Sequence, residues 1–462
     1  MSKHVDSAAS APATADYEPM AATALTDEER WPLLTPDAEA MLTRLRTHPA
    51  APRYNHACGD RLSAKARDNL VAYRSQLAEG VPAPNWIMPL VERVYATVPR
   101  YRGKPVPRAL TDVPPTDRHD LLSHAEAHVP TDADLSDLIV YRTSGSRGPA
   151  ATVPMTPEFC ALDLPVMQHL LSELGVPVRG GASRVSLVNV YDQPVAYQFA
   201  SVSSYLDGAG VLKVNLHESG WHTPDDRVAF LDACTPELYT GNPISLAKLA
   251  TLPLTTRPSA VLSGAMALGS GLRKHLSDRF DCPVIDLYGI TEAGLIAWRP
   301  DNGPHRVLPR KLHVEILSPT GEPCPPGVRG EITVTCGENP LLPLLRYRTG
   351  DQAALTWVNG EPVLTGLEGR DPVRFRAAAG TWVNSIELTH VLSPLALVAW
   401  QLHQDEQGAV TVETHGTAAA QDVEAAVRSL LGPVPITVRN RNLARDTKPQ
   451  RYSSTMADAL VV

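Results

Sequence analysis

The chain has 462 residues, 43% of them apolar and 20% charged, with a formal net charge of −8. That length allows about three domains, and the apolar share is ample for a large core. The acidic balance excludes a general attraction to nucleic acid or to an anionic membrane surface. The six cysteines, Cys58, Cys160, Cys234, Cys282, Cys324 and Cys336, show no C-x-x-C spacing. A zinc ribbon and a disulfide scaffold are therefore disfavoured. No basic region followed by an apolar core opens the sequence, and no run approaches the ~18 apolar residues of a membrane span. A cytoplasmic, reducing setting is expected.

Residues 1 to 28 are rich in alanine and small polar residues and predict a disordered tail. Ala38–Leu45 and Ala64–Leu77 carry apolar residues at helical spacing and predict a helical preface, broken at His48-Pro49 and Gly80-Val81-Pro82. Leu121–Asp137 is acidic and helical in part. Helices are predicted at Pro157–Leu174, Ala196–Tyr205, Asp225–Cys234, Pro243–Ala250 and Gly269–Phe280. Strands are predicted at Val185–Tyr191, Val211–Leu216, Glu237–Thr240, Ala260–Ser263 and Val284–Leu287, the last stopping at Tyr288-Gly289. Alternation of this kind gives an α/β fold with a largely parallel sheet covered on both faces. Strands alone follow at Leu312–Leu317 and Glu331–Cys336, suggesting an antiparallel or barrel-like subdomain. From Gly369 onward, strands at Leu397–His403, Val410–Glu413 and Ile436–Val438 alternate with helices at Ser385–Val391 and Ala418–Leu430. These make a compact α+β unit, so the domains read as a tail (1–28), a large domain (29–368) and a small one (369–462), with Gly366–Asp371 as the hinge.

The stretch Pro283–Gly294, PVIDLYGITEAG, draws the rest together. Thr291 and Glu292 fall just past the carboxyl end of a buried strand, where open α/β sheets put their ligands. A hydroxyl there suits a phosphate oxygen and a carboxylate suits Mg²⁺. Upstream, Thr143-Ser144-Gly145-Ser146-Arg147-Gly148 has the hydroxyl and glycine content of a phosphate-wrapping loop. A Ser/Gly turn with a solvated arginine has the same composition. Downstream stand Arg346-Tyr347-Arg348-Thr349-Gly350-Asp351, Gly369-Arg370-Asp371 and Asp446-Thr447-Lys448-Pro449-Gln450-Arg451. No G-x-x-x-x-G-K-[ST] occurs, which disfavours a P-loop kinase or ATPase.

In this order and at these intervals the motifs resemble the adenylate-forming superfamily, most closely its phenylacetate-CoA ligase-like branch, from about Asp112 to Arg451. The resemblance implies that Thr143–Gly148 holds the β- and γ-phosphates of ATP, with Arg147 supplying charge where the family lysine is replaced by Pro149. It implies that Gly264-Ala265 presents backbone to the adenine and that Tyr288, beside Gly289, stacks on it. Thr291 would meet the α-phosphate and Glu292 a Mg²⁺ ion, Asp351 both ribose hydroxyls, and Arg370 the ribose near the junction. Val373 stands where the family has an acidic hinge residue, with Asp371 the nearest carboxylate. Lys448 would neutralise the carboxylate and α-phosphate during adenylation, and it is the most consequential assignment.

An acyl pocket is expected around Tyr191, Tyr197, Tyr239 and Gly241, although core filling explains the same residues. The implied activity is ATP-dependent activation of a carboxylic acid, of aryl type, with pyrophosphate release and transfer to a thiol, that of coenzyme A. Transfer to an amine or a carrier protein, nitrite activation, and a degenerate nucleotide binder without turnover are the alternatives. A small-molecule acid is the expected partner, a carrier protein and a homodimer are admitted, and nucleic acid and membrane are not.

Overall fold

A computed structural model describes residues 25–142, 151–193, 196–369, 373–441 and 451–456. Most of the 1–28 tail lies outside them. Its end is ordered, because Thr26 and Glu29 form a reciprocal capping box over the helical turn Asp27–Arg30. Trp31 then buries itself, its indole N–H shared between the Ser201 hydroxyl and the Val202 carbonyl.

The two preface helices are Pro36–Thr47 and Ala64–Ala78, each started by a side-chain cap, Thr35 and Ser63. Each cap contributes about 1 kcal/mol. Beyond them one sheet of twelve strands dominates. From one edge it runs Leu312–Leu317, Arg329–Cys336, Leu344–Val358, Glu361–Glu368, His305–Val307, Gly294–Arg299, Val284–Ile290, Ala260–Ser263, Leu238–Gly241, Val185–Tyr191, Ala209–Asn215 and Phe199–Ser203. Val185–Tyr191, Ala209–Asn215, Leu238–Gly241, Ala260–Ser263 and Val284–Ile290 are mutually parallel. Helices Pro36–Thr47, Asp226–Cys234, Pro243–Ala250 and Ser270–Phe280 bury apolar residues on one face of this part. Ala64–Ala78 and Asp163–Glu173 cover the other. The alternating pattern therefore gives the expected doubly covered α/β layer.

Three expectations change. The helix expected at Ala196–Tyr205 is an edge strand, Phe199–Ser203, antiparallel to Ala209–Asn215. Tertiary pairing and the Trp31 anchor override its weak helical pattern. The helix expected over Pro157–Leu174 breaks at Leu162 into Pro157–Ala161 and Asp163–Glu173. The barrel-like subdomain is an antiparallel continuation of the main sheet, joined through the pairing of Val284–Ile290 with Gly294–Arg299. Among the described strands no barrel closes.

After Glu368 the chain builds a second sheet, Ile436–Asn440, Val410–Gly416, Leu397–Gln404 and Tyr452–Ser454, with helices Ser385–Leu392 and Ala420–Leu431 packed on it. The expected hinge region is strand through Glu368, and residues 370–372 lie outside the described part. Val373 is buried in the small core, which explains an apolar residue there. The small unit docks on the large one at Gly269–Gly271. The Gly271 amide donates to the Ser393 carbonyl at 3.0 Å and the Ser270 amide to the Ser393 hydroxyl at 3.0 Å. A Cβ on Gly271 would come 2.3 Å from the Leu395 carbonyl oxygen, so only glycine permits this approach. Arg451 stacks on Trp400 at 4.2 Å and donates to the Ala267 carbonyl at 3.2 Å.

Candidate active site

The central strand does not stop at Tyr288-Gly289. It continues to Ile290 and turns tightly into Gly294–Arg299. The turn needs two glycines. A Cβ on Gly289 would sit 2.6 Å from the Gly294 carbonyl oxygen, and Gly294 itself has φ of 71°. Thr291 is exposed at the tip, whereas Glu292 is buried and accepts from the Tyr347 hydroxyl at 3.1 Å.

A fully buried arginine holds this turn from below. Arg310 donates to the carbonyls of Leu295 at 2.5 Å and Ala293 at 3.0 Å, and through Nε to Glu338 at 2.7 Å. Tyr73 donates to the other Glu338 oxygen at 2.7 Å. Burial alone would discharge Arg310, but the Glu338 carboxylate overrides it and holds the guanidinium above its ordinary value. Asp163 accepts weakly from the Leu295 amide at 3.4 Å, and burial raises its carboxyl above the usual range.

The second motif lies alongside. Strand Leu344–Val358 bends at Arg346, whose φ is 45°, and the Arg346 guanidinium bonds Glu315 and the carbonyls of Thr111 and Val113. Glu331 takes Arg348 on one oxygen at 2.6 Å and the Gly350 amide on the other at 2.9 Å. This brace presents Asp351, which accepts from the Tyr288 hydroxyl at 3.0 Å. Tyr347 and Asp351 leave the same strand, so one strand carries the partners of both Glu292 and Tyr288. A Cβ on Gly369 would come 3.6 Å from Asp351, which puts the end of the large unit at the same place.

Gly264 donates its amide to the Gly241 carbonyl at 3.0 Å, and Ala265 takes a left-handed φ of 64°. That conformation costs an L-residue roughly 1 kcal/mol or more. A Cβ on Gly264 would meet only the Leu287 carbonyl oxygen, at 3.9 Å.

Tyr191 and Tyr197 are half-buried. Tyr239 does not belong with them. Strand alternation turns it to the opposite face, where it is fully buried against Phe280 in the core. Gly241 is there for strand packing, since a Cβ would approach the Val190 carbonyl oxygen to 2.9 Å. Thr143, Ser144, Gly145, Ser146, Arg147, Gly148, Arg370 and Lys448 lie outside the described residues. Sequence reasoning did not find Glu331, Arg310, Glu338, Tyr73, Asp163 or Lys213. None lies in a recognisable local pattern, and each is made relevant only by folding.

A doubly covered α/β sheet with polar loops at its carboxyl ends, followed by a small α+β unit docked on one of them, is the architecture of adenylate-forming enzymes. The family model described as "AMP-binding enzyme" matches residues 199–338. Over 84% of this chain and 88% of the other, 2-hydroxyisobutyryl-CoA ligase in the postadenylation state, in complex with R3-HIB-AMP, superposes with a TM-score of 0.57 at 16% identity. The same ligase with 2-HIB-AMP gives 0.56. The family model thus matches under a third of the chain, and the superposition shows that the chain shares the fold of that ligase. Over 104 residues it is 36% identical to the medium/long-chain-fatty-acid–CoA ligase FadD17 of Mycobacterium tuberculosis, a match covering 21% of this chain and 20% of that protein. The match thus spans about a fifth of the curated relative.

Proposed function

We propose that the protein activates a carboxylic acid with ATP and passes the acyl group to a thiol, that of coenzyme A, in the manner of the phenylacetate-CoA ligase-like branch. A carboxylate oxygen attacks the α-phosphorus as the bond to pyrophosphate breaks. The thiolate then attacks the acyl carbon and AMP leaves. The observation that carries this reading is the joining of two sequence-distant motifs by hydrogen bonds, Tyr288 to Asp351 and Tyr347 to Glu292.

In this reading Asp351 holds the ribose hydroxyls, Tyr288 lies on the adenine, the Gly264-Ala265 turn offers backbone to the ring edge, and Thr291 meets the α-phosphate. No cluster of three metal-binding side chains occurs among the described residues. Glu292 is a buried, oriented single carboxylate, which fits Mg²⁺, a cation that takes one or two carboxylates and completes its shell with phosphate oxygens and water. When bound, that ion would spread the charge of the triphosphate. Positioning and electrostatics carry this chemistry, and Lys448 is assigned the cation that neutralises the carboxylate and the α-phosphate.

Pyrophosphate release across a panel of aryl and alkyl acids, with Lys448→Ala as control, tests the reading. Release should require an acid and fall about 10²- to 10³-fold in the variant. Nucleotide binding without acid-dependent release from any member of the panel would instead leave a degenerate binder.

A further inference from the structure

Lys213 stands on the parallel strand Ala209–Asn215, in register with Asn189 on one side and Phe199 on the other. Strand alternation puts it on the face of the sheet opposite Tyr239. Its ammonium lies 4.3 Å from the centre of the Tyr191 ring and 5.6 Å from that of Tyr197. His56 covers Tyr197 from outside at 4.6 Å. The charge of Lys213 reaches His56 and the Cys58 thiol, and Tyr141, two residues before the Thr143–Gly148 segment, is within electrostatic reach of Tyr191 and Cys58.

The outer wall is fixed rather than draped. Asn55 donates to the Ala196 carbonyl at 3.0 Å and accepts from the Gln198 amide at 2.8 Å. Lys213 thus stands between two aromatic rings on a wall held by Asn55, with Tyr141 within reach of the Tyr191 side. No carboxylate among the described residues forms a salt bridge with Lys213. Tyrosine faces attract a cation but leave its charge uncompensated. A half-buried ammonium in such a place favours an anionic ligand, because desolvation strengthens their attraction.

We propose that Lys213 is the specificity-determining residue of the acyl site and selects an acid with a second carboxylate. The ammonium holds the distal carboxylate and the tyrosines flank the carbon skeleton, leaving the proximal carboxylate to face the nucleotide. This rests on the adenylation reading and narrows its substrate class to diacids.

The test compares isophthalate and terephthalate with benzoate, and adipate with hexanoate, by pyrophosphate release and by calorimetric binding to the full chain. Wild-type protein should prefer the diacids. Lys213→Met should raise their KM about 10- to 100-fold, the range for losing a hydrogen bond to a charged group. KM for ATP and for monoacids should stay unchanged, and Lys213→Arg should keep the preference. Thermal unfolding checks each variant, and Lys213→Gln carries the same comparison if the methionine variant unfolds. A wild-type preference for monoacids would overturn the proposal. So would a variant that weakens ATP and every acid alike, since the cation would then serve the triphosphate. Absence of pyrophosphate release with all acids would instead sink the adenylation reading, and calorimetry of diacids against monoacids would still decide Lys213.

Discussion

His128 is buried with its Nε2 unpartnered among the described residues. Burial, reinforced by the nearby Arg100 charge, pushes its pKa down to about 4. The unfolded chain titrates near the ordinary value of about 6.5, so between these limits it binds a proton that the folded protein refuses. Stability is therefore full above about pH 6.5 and is lost as pH falls toward 4. His128→Gln should flatten that part of the pH profile, read as the unfolding temperature at pH 7 against pH 5. Residues of this kind cannot be picked out of a sequence. Asp351 and Glu292 could be, because they lie inside short ordered motifs. Their partners Tyr288 and Tyr347 also stand within quoted motifs, whereas Glu331, which braces Arg348 and Gly350 beside Asp351, stands outside them.

The hairpin from Val284–Ile290 into Gly294–Arg299 depends on Arg310, which ties its two carbonyls to Glu338. Breaking one side of a buried ion pair strands the other charge and typically costs about 3–5 kcal/mol. Arg310→Met should lower the unfolding free energy, read from urea denaturation, by that amount, and Arg310→Met with Glu338→Met should recover much of the loss. A single variant no less stable than wild type would show that the pair does not hold the turn. At this scale the sequence was legible where a segment follows one period. Val185–Tyr191, Ala260–Ser263, Pro243–Ala250 and Leu312–Leu317 have their expected bounds. It was opaque where pairing decides. Phe199–Ser203 has no strong strand pattern and becomes a strand because Ala209–Asn215 offers an edge. Tyr239 stands two residues from Gly241 near a promising strand end, yet the two-residue period sends its ring into the core.

For the molecule as a whole, the contact between Gly269–Gly271 and Ser393–Leu395 fixes how the small unit sits. Gly271→Ala would drive a methyl into the Leu395 and Pro394 carbonyls, so it should loosen this docking while leaving both cores intact. X-ray scattering should show a larger radius of gyration than wild type, with little change in circular dichroism. An unchanged radius would mean the backbone yields locally instead. The order of large sheet and small sheet was readable from the change in strand and helix texture after Gly369. The docking was not, since it consists of backbone groups meeting backbone groups and leaves no trace in side-chain pattern.

One hairpin joins the two ends of this arrangement. Asp351 lies on its outgoing arm, and its return arm ends at Glu368, one residue before the glycine that packs against Asp351. The carboxylate and the point where the chain leaves the large sheet therefore sit side by side, so a substitution at either is felt at the other.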